Sequence, residues 1–313
     1  MAIGDLISAT DYNSIRDKAI ALIGTGKTPE LTYFYDASHG YGQTTFSSAV
    51  VSGNQVTKAQ WDALRYDLYN TLIHQTGVTP SIVQIAVGGL IAYGAGNPNT
   101  QYSTLADTAK TNRFNLGSGQ FVTDALASTS TSSSWYQSRS TTATVTFNTA
   151  EEARFFFNSG GSIRFSSSRT GGTSGVQQNT AWSNLLASAG AQGFGAVTAG
   201  VNFYNLTTSY QQYYSLVASS PYSANNWKLE AKSNVANNSN GTATILTFRI
   251  TWTDGYYDPG PEPSPAPGDL VDGTLSLSVT AVRAYGVLQP TGTAGSFAIV
   301  GPASTVLDPI TGS

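Results

Sequence analysis

The sequence predicts an α+β fold, with an N-terminal helical region packed on a larger antiparallel β region that carries short helices. The first observation behind this prediction is the pattern of apolar residues. They follow the three- and four-residue spacing of helices up to Pro80, and alternate with polar residues, as in strands, from Thr142 onward. The second observation is length, because 313 residues can bury one large core or two modest ones.

Two motifs that resemble capping boxes mark helix starts in the N-terminal region. The first, at residues 8–11, precedes a helix predicted over residues 12–23. The second, at residues 57–60, opens a helix that runs to about Gln75. The apolar residues at helical spacing in this second helix are Trp61, Leu64, Leu68 and Leu72.

A short strand is predicted over residues 82–87, and a third helix over residues 104–114. A run of serine and threonine at residues 128–134 then marks a domain boundary. The predicted segments are an N-terminal helical and loop region over residues 1–134, a β-rich region over residues 135–285, and an extended C-terminal arm over residues 286–313.

Strands dominate the β-rich region. Alternating apolar residues predict strands around residues 143–147, 163–165, 227–231, 246–252 and 275–281. Two helices interrupt them, one over residues 150–158 and one capped by Asn179. The last two strands are predicted to pair as an antiparallel hairpin.

Five prolines occupy alternate positions in the connection between these two strands, within an excursion over residues 258–268. They are Pro259, Pro261, Pro263, Pro265 and Pro267. Because proline has no backbone donor, this segment is predicted to leave the sheet as a stiff extended excursion. Together with the nearly uncharged C-terminal arm, which is predicted to lie on this subunit or on a neighbour, it is a candidate inter-subunit arm.

Composition excludes several classes of function. Charged residues make up only 11% of the chain, and aromatic residues another 11%, which predicts a folded protein with a neutral polar surface suited to packing against copies of itself. A net charge of −3 without basic clusters argues against nucleic-acid binding. Without cysteine there are no disulfides or thiolate metal sites, and no apolar run is long enough to insert into a membrane.

No residue pattern predicts catalysis or a cofactor. Residues 24–28 lack the first glycine of a phosphate-binding loop, and neither His39 nor His74 accompanies a nucleophile motif. The adjacent acids at residues 151–152 are expected in a first helical turn. Four aspartates flanking the proline excursion do not have the spacing of a calcium loop, and are read as turn residues: Asp254, Asp258, Asp269 and Asp272. We therefore predict that the chain is not an enzyme.

One aromatic segment, residues 203–214, could stack on sugars or form subunit contacts. Tyrosine is common at protein interfaces and in strands, so core or subunit contact is the favoured interpretation. The candidate interface or glycan-stacking residues are Phe203, Tyr204, Tyr210, Tyr213 and Tyr214.

Three stretches of the chain carry a family resemblance. The first joins the helix of residues 4–26 to the loop Gly-Tyr-Gly-Gln at residues 40–43. The second is the helix within residues 56–77. The third is the segment ARFFFNSGGSIRFSSSRTGG at residues 153–172 with its downstream helix. Together these stretches resemble structural proteins of tailed bacteriophages, chiefly those of cyanophage-like phages. The strands within residues 245–285 are similar to the closing strands of such proteins, with a middle expanded by prolines.

This resemblance implies a structural component of the virion that acts by multi-copy self-assembly. Tail, baseplate, neck and fibre are the positions it implies, with assembly in the host cytoplasm. The expected partners are copies of the chain itself and other virion proteins. The alternative is a carbohydrate-binding receptor-recognition module of a tail fibre, whose partner would be a host surface glycan. The resemblance implies no catalytic residues.

Overall fold

The computed structural model describes residues 8–26, 38–44, 46–86, 98–197, 200–257, 270–285, 287–288, 296–297 and 299–312. It confirms the α+β class, with N-terminal helices and a larger antiparallel β region. The chain divides into two compact units. The first comprises Met1–Val122, Glu151–Gly161 and Arg283–Gly301, and the second comprises Thr123–Ala150, Ser162–Val282 and Pro302–Ser313.

The helices are α1 (Ala9–Ile23), α2 (Lys58–Thr76), α3 (Pro98–Thr111), α4 (Ala150–Asn158) and α5 (Gln177–Ala189). Both predicted capping boxes form, at Ser8 and Thr57. In the first unit, the ring of Trp61 lies edge-on to the rings of Tyr12 and Tyr102, with centroids 5.2 and 5.5 Å away. These three buried aromatic side chains anchor α1, α2 and α3 in one core.

The Gly-Tyr-Gly-Gln loop packs within the first unit. The Tyr41 hydroxyl donates to the Arg113 carbonyl at 2.6 Å and accepts from Gln75 Nε2 at 2.9 Å. Asn158 Nδ2 donates to the carbonyls of His39 and Gly40 at 3.0 and 3.1 Å. These buried bonds make the loop part of the core, because each would be expensive to leave unmade.

Twelve strands lie in the described ranges. In chain order they are β1 (Phe121–Thr131), β2 (Ser138–Thr146), β3 (Ser162–Thr170), β4 (Gln192–Phe194), β5 (Gln211–Val217), β6 (Asn226–Ser233), β7 (Ile245–Thr253), β8 (Thr274–Ala284), β9 (Val287–Leu288), β10 (Ser296–Phe297), β11 (Ser304–Leu307) and β12 (Thr311–Gly312). The four-stranded sheet has the order β1-β8-β3-β4. The six-stranded sheet has the order β11-β2-β7-β6-β5, with β12 also paired to β2, and β9 pairs with β10 in the first unit.

The two larger sheets pack face to face in the second unit. The Phe165 ring of β3 lies 4.8 Å from the Phe248 ring of β7, and Trp252 Nε1 of β7 donates to Ser167 Oγ of β3 at 3.0 Å. Inward residues alternate with outward ones on each strand, so the unit is an antiparallel sandwich. Helix α5 contributes Trp182 to this core, with its ring 4.8 Å from that of Trp135.

The predicted hairpin between β7 and β8 is wrong. Strand β7 lies between β2 and β6, whereas β8 lies between β1 and β3 in the other sheet. The chain therefore changes sheets after Thr253, which a long connection permits and a tight turn does not. The excursion at residues 258–268, with its five prolines, lies outside the described residues.

The C-terminal segment, predicted to lie on this subunit or on a neighbour, pairs with its own subunit over part of its length. Strand β11 pairs antiparallel with β2, with Thr305 opposite Val145, and Thr311 pairs with Ser140. The Thr141 hydroxyl also donates to the Asp308 carbonyl at 2.6 Å. Residues 304–312 thus complete the sheet of their own chain, since their low charge and alternating pattern suit an edge strand.

Several local predictions need correction. The serine and threonine run at residues 128–134 is not a domain boundary, because strand β1 continues to Thr131 and Thr123–Ala150 belongs to one unit. Residues 82–86 form no strand, and Val83 instead accepts a hydrogen bond from the Tyr102 hydroxyl at 2.7 Å. Helix α5 begins at Gln177 after Val176, so Asn179 is not its cap. Among the described residues, no helix combines the length and apolarity needed to cross a bilayer.

Candidate functional site

The aromatic segment of residues 203–214 does not form one exposed platform. Phe203 lies in a single 3-10 turn, is fully buried, and packs edge-on against Tyr204 at 5.1 Å. Tyr213 packs against Phe194 at 5.2 Å, and Tyr214 against Trp227 at 5.6 Å. These rings contact other rings of the same unit.

A β-bulge in β5 explains how two consecutive tyrosines come to contact these rings. The register with β6 shifts between Gln212 and Tyr214, so that Tyr213 is the extra residue. Burial raises the pKa of the Tyr213 hydroxyl well above its usual value, and this hydroxyl has no hydrogen-bond partner among the described residues. Sequence alternation alone could not reveal the bulge.

Tyr210 belongs to a charged cluster on the outer face of the six-stranded sheet. The Arg249 guanidinium lies 4.3 Å from the centroid of its ring, and Lys232 Nζ lies 4.6 Å away. Arg249 Nε also donates to Glu230 Oε2 at 2.7 Å, and Lys228 Nζ lies 3.3 Å from the same oxygen. The hydrogen bond from Arg249 lowers the pKa of the Glu230 carboxyl. The carboxylate is therefore charged, and the cluster is a network of ion pairs.

Part of the outer face of the four-stranded sheet is a regular array of hydroxyl groups, bordered on β3 by Arg164. Ser166 lies opposite Ser278, and Ser168 opposite Ser276, in the β3–β8 register. We define the hydroxyl face as Ser128, Ser130, Ser166, Ser168, Thr170, Thr274, Ser276 and Ser278. Six of these residues line an open groove of about 450 Å³ together with Thr129 and Leu277. None of them carries a charge.

The hydroxyl face was missed by sequence reasoning. Its signal is present in the chain, because serine alternates at 276 and 278, flanks Thr129 at 128 and 130, and occupies the outward positions 166 and 168. Alternation of apolar residues identified the inner faces of β3 and β8, but the polar positions were treated only as solvent-facing. The Ser/Thr run in β1 was interpreted as a domain boundary, since its outward residues were not assigned to a strand.

Asp67, Asp254 and His74 are buried groups whose pKa values are shifted by burial. Burial raises the pKa of Asp67 to about 6 and that of Asp254 to about 7, and lowers that of His74 to about 4. Asp67 Oδ2 accepts from the Ser47 amide at 2.9 Å, and the His74 ring lies 5.0 Å from that of Tyr41. These contacts bind structural elements to one another, as is common for buried polar groups.

The aspartates near the proline excursion are bound to protein donors where they are described. Both carboxylate oxygens of Asp254 accept from Gln178 Nε2 at 2.7 Å. Asp272 Oδ2 accepts from the Thr173 amide and hydroxyl at 2.9 and 2.6 Å. Asp258 and Asp269 lie outside the described residues. Within the described part of the chain, no cluster of three histidine, aspartate or glutamate side chains could hold a metal ion.

Comparison with known proteins adds no family. No protein-family profile, curated protein sequence or solved structure gives a significant match to the chain. The hydroxyl face and the charged cluster around Tyr210 are two surfaces of the second unit, and the hydroxyl face has the regular spacing of paired strands.

Proposed function

We propose that the chain is a structural protein of a tailed-phage virion, present in many copies, whose subunits associate through the hydroxyl face. Its position would be the tail, baseplate, neck or fibre, after assembly in the host cytoplasm, with other virion proteins as further partners. The hydroxyl face is the observation that carries the proposal. The resemblance of residues 4–77 and 153–190 to phage structural proteins supplies the class of assembly.

The chemistry of the hydroxyl face suits association of identical subunits. A hydroxyl group both donates and accepts a hydrogen bond, so two copies of the same face can bond to each other. The eight residues of the hydroxyl face carry no charge, and Arg164 lies at its border on β3, so bringing two copies of the face together buries no unpaired ion. The cores of protein interfaces are likewise depleted of charged residues.

A charge-insertion experiment tests this proposal. Ser168→Lys with Ser276→Lys places two ammonium groups on opposed positions of β3 and β8. Asn240→Lys, at an exposed position outside the face, is the matched control. In light scattering across protein concentrations, we expect an oligomer for the wild type and the control, and a monomer for the double variant.

Two outcomes would contradict this proposal. The first is a wild-type chain that stays monomeric and is absent from purified virions. The second is a double variant that assembles as the wild type does. Circular dichroism must show the same folded spectrum for all three proteins, because both substituted serines lie on a solvent-facing surface.

The alternative function, a carbohydrate-binding receptor-recognition module, draws little support from the tyrosines predicted for it. Phe203, Tyr213 and Tyr214 contact protein rings, and Tyr210 is held between Arg249 and Lys232. A sugar-binding surface therefore has to be sought elsewhere in the second unit.

A further inference from the structure

An open groove of about 490 Å³ runs along α5 and the end of β5. The groove lies wholly within the second unit, and no sequence motif predicted it. Its lining residues are Gln177, Thr180, Ala181, Asn184, Leu185, Ser188, Leu216, Val217, Ala218, Ser219, Ser220 and Tyr222. The volume falls in the range of small-molecule sites, which span roughly 300–1,000 Å³.

One wall of the groove is a row of neutral polar side chains. Gln177, Thr180, Asn184 and Ser188 recur about once per turn of α5, and all four are exposed. Amides and hydroxyls both donate and accept hydrogen bonds. This row therefore offers both kinds of partner to a ligand that carries hydroxyl groups.

The opposite wall is apolar and ends in a tyrosine. Leu216, Val217 and Ala218 come from the end of β5, and Val217 is 53% exposed. The Tyr222 ring packs against the Tyr256 ring with centroids 4.5 Å apart, and its hydroxyl lies 3.5 Å from Gln177 Oε1. The groove thus combines a polar wall, an apolar wall and the Tyr222 ring, which is packed against Tyr256.

Hydrogen bonds of the surrounding turn hold Tyr222 in place. The Tyr222 amide donates to the Ser219 carbonyl at 2.9 Å, and the Asn225 amide donates to the Tyr222 carbonyl at 2.9 Å. The buried Asn225 side chain accepts from the amides of Gly255 and Tyr256 at 3.1 and 3.0 Å. Tyr256 is thereby held behind Tyr222, so the ring facing the groove needs little ordering when a ligand binds.

We propose that this groove binds a neutral saccharide of one or two sugar units. The hydroxyl groups of a sugar match the amides and hydroxyls of α5, and its C–H face matches the apolar wall and the Tyr222 ring. The lining contains no charged side chain. Phosphorylated or acidic sugars would bury an unpaired charge there, which disfavours them.

An extended peptide fits this groove less well. A peptide that adds to a sheet edge bonds to the main chain of several consecutive residues. Strand β5 is an edge strand, but it lines the groove only with Leu216 and Val217, and the bulge between Gln212 and Tyr214 interrupts its regular edge. Recognition in the groove is therefore dominated by side chains.

The test is a titration of the full chain with neutral and acidic sugars, followed by saturation-transfer NMR and calorimetry. The probes are glucose, galactose, N-acetylglucosamine and their disaccharides, with N-acetylneuraminic acid and glucose 6-phosphate as acidic counterparts. We expect binding of at least one neutral sugar, and about tenfold weaker binding by Asn184→Ala and Tyr222→Ala, as the loss of one or two contacts implies.

Asn240→Ala is the matched control, because it removes an exposed amide away from the groove. It should bind sugar as the wild type does, and so should the Ser168→Lys, Ser276→Lys variant, which separates this site from the assembly role. No binding of any neutral sugar at millimolar concentration would overturn the proposal. Equal affinity in Asn184→Ala and Tyr222→Ala, preference for an acidic sugar, or binding of extended peptides alone would do the same.

Discussion

At the residue scale, Asp254 has an environment that differs strongly from that of a surface carboxylate, because it is buried. It lies just after β7, and Gln178 of α5 donates to both of its oxygens at 2.7 Å. Burial raises its pKa to about 7, while the hydrogen bond from Gln178 opposes the rise only in part. The folded chain therefore takes up a proton at this carboxyl in a range where the unfolded chain does not.

The stability of the chain should depend on pH through Asp254. Its pKa is about 7 when folded and 3.8 when unfolded, so folding favours the protonated form. The contribution of Asp254 is fully present below pH 4 and is lost as pH rises to about 7, by at most about 1.4 kcal/mol per pH unit. Between pH 6 and 8, above the pKa of about 6 that burial gives Asp67, urea unfolding should show that Asp254→Asn removes this slope.

The exposed carboxyl of Asp107 provides the comparison for this measurement. The Asp107→Asn variant should keep the wild-type slope. His74 acts in the opposite sense, because burial lowers its pKa to about 4, and its contribution is lost as pH falls from about 6.5 toward 4. If Asp254→Asn and the wild type show parallel pH profiles, the shift at Asp254 is refuted.

Gly40 is required both by its backbone conformation and by the lack of space for a Cβ, whereas Gly53 is required by its backbone conformation alone. Both have positive φ, +99° and +89°, but a Cβ on Gly40 would lie 2.6 Å from the Gly26 amide, whereas one on Gly53 would meet nothing within 4 Å. We expect Gly53→Ala to cost about 1–2 kcal/mol in the free energy of unfolding. Gly40→Ala should cost about 2 kcal/mol more. Equal losses in chemical denaturation would contradict the packing described for the loop.

At the element scale, α5 is attached to the strands through a network centred on Asp272. Arg169, at the end of β3, donates to the carbonyls of Asp272 and Gly171 at 2.7 and 2.8 Å. Asn179 of α5 donates to the Asp272 carboxylate and accepts from the Asp272 amide at 3.0 Å. Because its bonds lead to three elements, the carboxylate fixes where α5 begins relative to β3 and β8.

Removing this carboxylate should loosen α5. Asp272→Ala leaves Thr173 and Asn179 without their acceptor and Arg169 without a nearby carboxylate, a loss of about 2 kcal/mol. Asp272→Asn keeps one acceptor oxygen and should lose less. Hydrogen exchange of the α5 amides would report the effect locally, and unchanged protection in Asp272→Ala would contradict this role.

Periodicity predicted the elements whose inner residues are apolar and failed where the fold depends on distant partners. Helices α1 and α2 and strands β2, β6, β7 and β8 follow from spacing alone, because one face of each is buried. Strand β1 was missed, since its residues are mostly serine, threonine and alanine. The sheet change after β7 and the bulge at Tyr213 are tertiary features, which a local pattern does not encode.

The candidate sites divide in the same way. The tyrosines of residues 203–214 were identified from composition, but a linear pattern could not indicate which rings β5 would turn toward Phe194 and Trp227. The groove along α5 needed the helix and the turn at Tyr222 to be placed together. A polar row such as Gln177, Thr180, Asn184 and Ser188 is indistinguishable in sequence from an ordinary solvated helix face.

At the scale of the whole molecule, neither compact unit is a continuous stretch of chain. The first unit takes in Glu151–Gly161, which follows β2 and precedes β3 in sequence, and the second is completed by Pro302–Ser313. Domain boundaries drawn along the sequence, such as one at Ser134, therefore divide residues that fold together. Fragments cut there would lack strands or helices of their own core.

Deleting residues 302–313 should destabilise the second unit although it removes few side chains. The deletion exposes the edge of β2, which β11 and β12 cover, and removes the buried side chain of Ile310. Unpaired strand edges promote association between chains. For the deletion variant we expect a lower midpoint of thermal unfolding, and aggregation in light scattering. Val306→Lys should behave as the wild type, because the Val306 side chain on β11 is 61% exposed. A soluble deletion variant with an unchanged midpoint would argue against this.

The pairing of β11 with β2 also sets the order of events during synthesis. Thr141 and Asp308 are bonded in the sheet but lie 167 positions apart. The nascent chain must therefore hold β2 with one edge uncovered until the final strands have left the ribosome, and such distant pairing slows folding. A truncated translation product would keep that edge exposed. The edge of β2 is therefore covered only after residues 304–312 have been made.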